Sequence, residues 1–155
     1  MTVYCPTADT ALGLRDWAGS GVSEEARLIK ESVEESLQHF LGLRLDRLLP
    51  EIESLRTISD ENLIPVDGDT IGAAKQFAYS LPRFGPLPEV SADPDGEISF
   101  DWIAPSGQMF SVSVNKQNRL AYAGWFGEKS RIHGIEQLAE SCPQQIIRGI
   151  EKATR

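Results

Sequence analysis

The chain has 155 residues, 41% hydrophobic and 25% charged, a composition that excludes a wholly disordered, collagen-like or coiled-coil chain and allows one core without disulfides or a structural metal. Its formal net charge of −8 repels a phosphate backbone and disfavours general nucleic-acid binding. No run approaches the roughly 18 apolar residues of a membrane span, and the opening MTVYCPTADT lacks a signal-peptide pattern, so the chain is expected to be cytoplasmic with no membrane partner.

Pro6, Gly13, Gly19 and Gly21 predict an irregular lead with a short helix around Leu12–Ala18, anchored by Trp17. Ser23 followed by Glu24 and Glu25 reads as an N-cap with acids in the first turn. In the helix that follows, Ile29, Val33, Leu37, Phe40 and Leu41 recur at helical spacing, with Glu31, Glu34, Glu35 and Gln38 turned outward. Pro50 lacks an amide hydrogen and disfavours helix in the residue before it, which predicts a break and a second short helix from Pro50 to Thr57. Residues 59–69 form a turn-rich linker. Asp69 then caps a helix whose buried stripe is Ile71, Ala74, Phe77, Ala78 and Leu81, and which ends before Pro82. Pro82, Pro86, Pro88 and Pro94, with Gly85, predict an extended connector.

After an Asp95-Gly96 turn the period changes to two. Ile98, Phe100 and Trp102 alternate with Ser99 and Asp101, then Phe110, Val112 and Val114 with Ser111 and Ser113, and a third strand supplies Leu120, Tyr122 and Phe126. Short connections, the second with Asn118 in a left-handed position, make these an antiparallel meander. A fourth strand is expected over Arg131–Ile135. Pro143 opens a final helix whose apolar side is Ile146, Ile147 and Ile150. The expectation is an α+β fold, an antiparallel three- to four-stranded meander packed by N-terminal helices and a C-terminal helix. It forms one domain, with a helical layer over 1–58, linker and helix over 59–96, and sheet plus C-terminal helix over 97–155. The two N-terminal helices would form a separate layer or an oligomer contact.

Charge divides unevenly: residues 1–101 hold 19 acids and 8 bases, residues 102–155 hold 4 acids and 7 bases. This fits a solvated helical face beside a mildly basic sheet, or an interface. Cys5 and Cys142 lie far apart without metal-ligand spacing and read as free thiols in a reducing compartment. The aspartates of 67–69 and 93–97 superficially resemble calcium loops, but neither matches the ligand spacing and turn chemistry explains both. No metal and no cofactor is implied, because no phosphate-cradling, dinucleotide, nucleophile-elbow or zinc-protease motif occurs.

Two candidate sites remain. The catalytic candidates are His133, Arg131, Asp101 and Tyr122, in a cleft at the end of the sheet. Strand parity places Asp101 and Tyr122 on opposite faces, and His133 has no cysteine or serine partner by spacing, so a structural or surface role is favoured for it. The binding candidates are Trp102, Trp125, Tyr122 and Arg131, against the reading of the tryptophans as core. Ser99, Ser111, Ser113, Ala121 and Ala123 share one small-residue face, broken by Asp101 and Trp125, which the chain's own helices are expected to cover.

The segment Pro88–Phe126, with its Asp-Pro-Asp-Gly-Glu turn, strand ending in Trp102, SVSVN strand and Leu-Ala-Tyr-Ala-Gly, resembles a pattern found in small uncharacterised bacterial proteins, as does the helix ending Ser80-Leu81-Pro82. The resemblance spans roughly residues 70–150 and carries no activity to transfer. The expected function is a non-enzymatic protein-binding or regulatory module, antitoxin- or inhibitor-like, engaging a protein partner or a second copy of itself. The alternatives are a small enzyme around His133 and Arg131, or a small-ligand sensor.

Overall fold

The computed structural model describes residues 23–58 and 64–155. The short helix expected over Leu12–Ala18, Trp17 and Cys5 lie outside the described residues. The chain divides into two units, one ending at His39 and the other running Phe40–Arg155.

Helix α1 spans Glu24–Ser54. Ser23 begins it as expected: its Oγ accepts from the Ala26 amide at 3.3 Å, and Glu24 and Glu25 occupy the positive end of the helix dipole. The expected break at Pro50 does not occur. The helix runs through Pro50 to Ser54 and tightens into a 3-10 turn over Leu55–Thr57, so one long helix replaces two. An internal proline costs about 3 kcal/mol. Leu48, Ile52 and Leu55 are all buried, and at about 1.5–3 kcal/mol each they outweigh that cost only if the turn continues on the same face. Earlier in α1, Leu28, Ile29 and Val33 are exposed.

Helix α2 spans Gly68–Ser80 and is capped by Asp67, not Asp69: the Asp67 carboxylate accepts from the Asp69 amide at 3.0 Å. Two aspartates flank the start, and the one in extended backbone takes the cap because only there can the side chain reach the first free amides. The expected stripe of Ile71, Ala74, Phe77, Ala78 and Leu81 is buried throughout, and the helix stops before Pro82.

Five antiparallel strands follow in chain order: β1 Glu89–Ala92, β2 Ile98–Ile103, β3 Met109–Val114, β4 Arg119–Trp125 and β5 Arg131–Gln137. β1 lies in what reads as a connector. Pro88 and Pro94 flank this strand without interrupting it, and a short edge strand tolerates such neighbours. Asn118 adopts φ 58° in the β3–β4 turn, and Gly96 φ 83° in the β1–β2 turn, the left-handed positions those turns require. Helix α3, Gln144–Ala153, begins directly after Pro143.

Alternation sends Ile98, Phe100, Trp102, Phe110, Val112, Val114 and Leu120 to one face, where all are buried. Both α2 and α3 pack there. Phe77 of α2 meets Phe100 edge-on at 4.9 Å between centroids. Gly149 lets α3 approach the Phe110 ring so closely that an added Cβ would stand 2.7 Å from Cδ2 and nearer still to Cε2 and Cζ. Phe110 also contacts the rings of Trp102, Tyr122 and Phe126, so the core centres on this residue.

Candidate functional site

Because both described helices on the sheet pack against the Phe110 face, the opposite face has no helical cover among the described residues. This corrects the expectation that the small-residue face is the one the helices bury. The apolar side chains opposite supply far more transfer free energy per residue than Ser and Ala can, so the helices go to them.

The strand registers fix how the open face is laid out. One row across the sheet is Ile103, Met109, Trp125 and Arg131. The next is Glu89, Asp101, Ser111, Ala123 and His133, and the third is Ser91, Ser99, Ser113, Ala121 and Ile135. Apart from Arg131 the first row is apolar yet exposed: Ile103 retains 58% of its surface and Trp125 37%. Ile135, at the edge, retains 64%.

Between Trp125, Arg131 and His133, the small side chains of Ser111 and Ala123 leave a shallow hollow of about 320 Å³. Its wall is mostly apolar, with Met109 and the Trp125 ring, while Arg131 and His133 stand along one rim. None of the ion pairs among the described residues engages Arg131. Such a hollow accepts an apolar side chain with an acidic neighbour.

The far end of the same face is closed by polar contacts that sequence reading missed. Ser99 donates to Asp93 Oδ2 at 2.6 Å. Ser113 lies between Glu97 Oε2 at 2.7 Å and Asp93 Oδ2 at 3.0 Å, one hydroxyl proton serving two acceptors. Arg119 donates to Glu97 Oε1 at 2.7 Å. Burial alone would raise the Glu97 carboxyl, but the hydrogen bonds from Ser113 and Arg119 and the Arg119 charge outweigh it and hold the group below its ordinary range. Asp93 and Glu97 are thereby engaged in closing the β1–β2 turn. Only the register, which sets Ser99 and Ser113 opposite each other, makes this network visible.

The four catalytic candidates do not converge. Asp101 and His133 share a row, but β3 and β4 lie between them, a separation of about 14 Å at the usual strand spacing. Asp101 instead accepts from Ser111. Tyr122 points to the helix-packed face, against Phe110 at 5.9 Å, with its phenol over Gly134. Of the binding candidates, Trp125 and Arg131 meet at the hollow. Trp102 belongs to the core, and its indole N–H donates to the Pro86 carbonyl at 3.2 Å. Met109 and Ile103 were missed; their place beside Trp125 follows from the register alone.

Two further titratable groups lie away from the face. Cys142 is a buried free thiol that burial pushes up to about 11, which removes it as a nucleophile near neutral pH. Arg44 is 8% exposed and donates to the Gly85 carbonyl; burial lowers its pKa. Among the described residues no group of three His, Cys, Asp or Glu side chains is placed to hold a metal, and no helix is long and apolar enough to cross a membrane. No protein-family model, curated protein or solved structure matches the chain.

Proposed function

We propose that this chain is a non-enzymatic protein-binding module, an adaptor of inhibitor or antitoxin type acting in the cytoplasm, and that it engages its partner through the open face of the sheet. The observation that supports this reading is the exposed row Ile103, Met109, Trp125 and Arg131, on a sheet whose two described helices pack against the other side. Exposed aromatic and Met side chains beside an Arg that no ion pair engages among the described residues are the composition of an interface centre. The partner this chemistry fits presents an apolar side chain flanked by an acid. With a net charge of −8 over the whole chain, an anionic nucleic acid is a poor alternative.

A photo-crosslinking residue at Met109, compared in the native cell with one at Arg148 on the exposed side of α3, tests the proposal. Heterologous adducts at 109, absent at 148 and lost when Arg131→Glu is added, are expected. Equal labelling at both positions, or no adduct at 109, would remove the open face as the binding surface.

A further inference from the structure

Among the described residues β5 is the last strand of the sheet, and its outer edge meets no other strand. In an antiparallel ladder, alternate residue pairs exchange hydrogen bonds, while the residues between turn their N–H and C=O the other way. Two bonds fix the phase here. The Phe126 amide donates to the Ser130 carbonyl at 2.8 Å, and the Leu138 amide to the Asn118 carbonyl at 2.8 Å. Each continues the β4–β5 register by one position beyond its ends, so by alternation Ile132, Gly134 and Glu136 bond inward to β4. Arg131, His133, Ile135 and Gln137 therefore direct their backbone N–H and C=O groups out of the sheet, and their side chains belong to the open face.

The two edges of the sheet differ. β1 has four residues between Pro88 and Pro94, a short, proline-flanked edge of the kind that resists pairing. β5 has seven residues, contains no proline and pairs with β4 without a bulge. At about 3.4 Å per residue it offers a template of about 24 Å. Its formal charges, Arg131 and Glu136, cancel, so the net acidity of the chain does not defend this edge.

We infer that β5 pairs antiparallel with β5 of a second copy of this chain about a two-fold axis through Gly134, joining two sheets into one. This is independent of the open-face reading, since edge and face are different surfaces and either can fail alone. A two-fold axis perpendicular to the sheet keeps helix sides together only when partner positions have the same parity, and it must match outward groups with outward groups. The register that sets Gly134 against Gly134 does both. It places Arg131 opposite Gln137 and His133 opposite Ile135 of the second copy, so all four outward residues are engaged and about eight interstrand bonds form. Ile132 then faces Glu136, and no like charges stand opposite each other. Centring on His133 sets histidine against histidine and leaves Gln137 without a partner strand residue.

Gly134 suits the axis for a second reason. It falls at a pair that exchanges no hydrogen bonds, where opposing Cα atoms come within about 4.5 Å. A Cβ on Gly134 would fall 2.5 Å from the Tyr122 hydroxyl oxygen, so the Tyr122 ring already fills the space on the helix side.

Amide exchange resolved by residue on the full chain, across a roughly hundredfold range of concentration, tests the inference together with mass by light scattering. Protection of the 133, 135 and 137 amides should rise at least tenfold with concentration as the mass doubles, while 132, 134 and 136 stay protected throughout. Ile135→Pro removes an outward donor without touching the β4 ladder and should give a monomer whose even-numbered amides remain protected. Should that variant lose its even-numbered protection, Ile135→Lys, which sets a cation against His133 of the second copy, should give the monomer instead. A monomeric mass at the highest concentration, or a dimer whose odd-numbered amides exchange freely, would overturn the inference.

Discussion

Substituting Gly149 in α3 and Gly72 in α2 by alanine makes the same chemical change in two helices and should move stability in opposite directions. Alanine is favoured over glycine in a helix interior by about 1 kcal/mol. At Gly72 nothing lies within 4 Å of the added Cβ, so Gly72→Ala should stabilise by roughly 0.5–1 kcal/mol. At Gly149 the added Cβ stands 2.7 Å from Phe110 Cδ2 and closer to two more ring atoms, about an ångström inside ordinary carbon–carbon contact. The ring cannot retreat, because Phe110 is fully buried between Trp102, Tyr122 and Phe126. Overpacking of this kind costs about 1–3 kcal/mol, and the steric overlap here is at the severe end, so Gly149→Ala should destabilise by roughly 1–2 kcal/mol after the helix preference is credited. For a chain of this length that corresponds to a fall in Tm of about 2–8 °C, against a rise of about 1–4 °C for Gly72→Ala. Urea and thermal unfolding followed by circular dichroism measure both. A Gly149→Ala variant as stable as the parent would show that α3 does not rest on Phe110, and the assignment of covered and open faces would fall with it.

Further outcomes follow from individual contacts. Replacing Pro50 by alanine restores an α1 hydrogen bond and should raise the unfolding free energy by up to about 3 kcal/mol, read as a higher urea midpoint. Ser113→Ala leaves Asp93 and Glu97 without their shared donor and should cost about 1–2 kcal/mol, with the Glu97 carboxyl titrating higher by NMR. Hydrogen bonds from Lys75 and then Arg56 lower Glu53 from 4.5 to about 2. A lowered carboxylate contributes stability above its unfolded value and loses it as pH falls through the folded one, so Glu53→Gln should flatten stability against pH between about 4.5 and 2. This effect should shrink in high salt because the pair is exposed. In a Cys5→Ser background, Cys142 should resist a thiol reagent at neutral pH and react on unfolding, the result of a thiol pushed up to about 11 by burial.

Much of the architecture can be read from periodicity because the relevant signals are local. The two-residue alternation of Ile98-Phe100-Trp102 and Phe110-Val112-Val114, the helical spacing from Ile71 to Leu81 and the left-handed Asn118 each follow from a few neighbouring residues. The failures are non-local. Pro50 reads as a break because helix preference is local, whereas the burial of Leu48, Ile52 and Leu55 that carries the helix past it is tertiary. β1 is hidden because its four residues sit among prolines and gain a strand conformation only by pairing with β2. At the candidate site, Trp125 and Arg131 were visible as residue types. Their union with Met109 and Ile103, and the removal of Trp102 to the core, depend on which face the helices choose. That choice is decided by the total apolar area of each face and by Gly149 giving α3 room on one of them.

Oxidative footprinting by hydroxyl radicals tests that choice most directly, since it reads side-chain exposure on both faces of the sheet in one experiment. Met109 and Trp125, on the open face, should oxidise rapidly in the folded chain, while Trp102 and Phe110 stay protected until it unfolds. Rapid oxidation of Trp102 with protection of Met109 and Trp125 would place the helices on the other side and contradict the open face on which the proposed function rests.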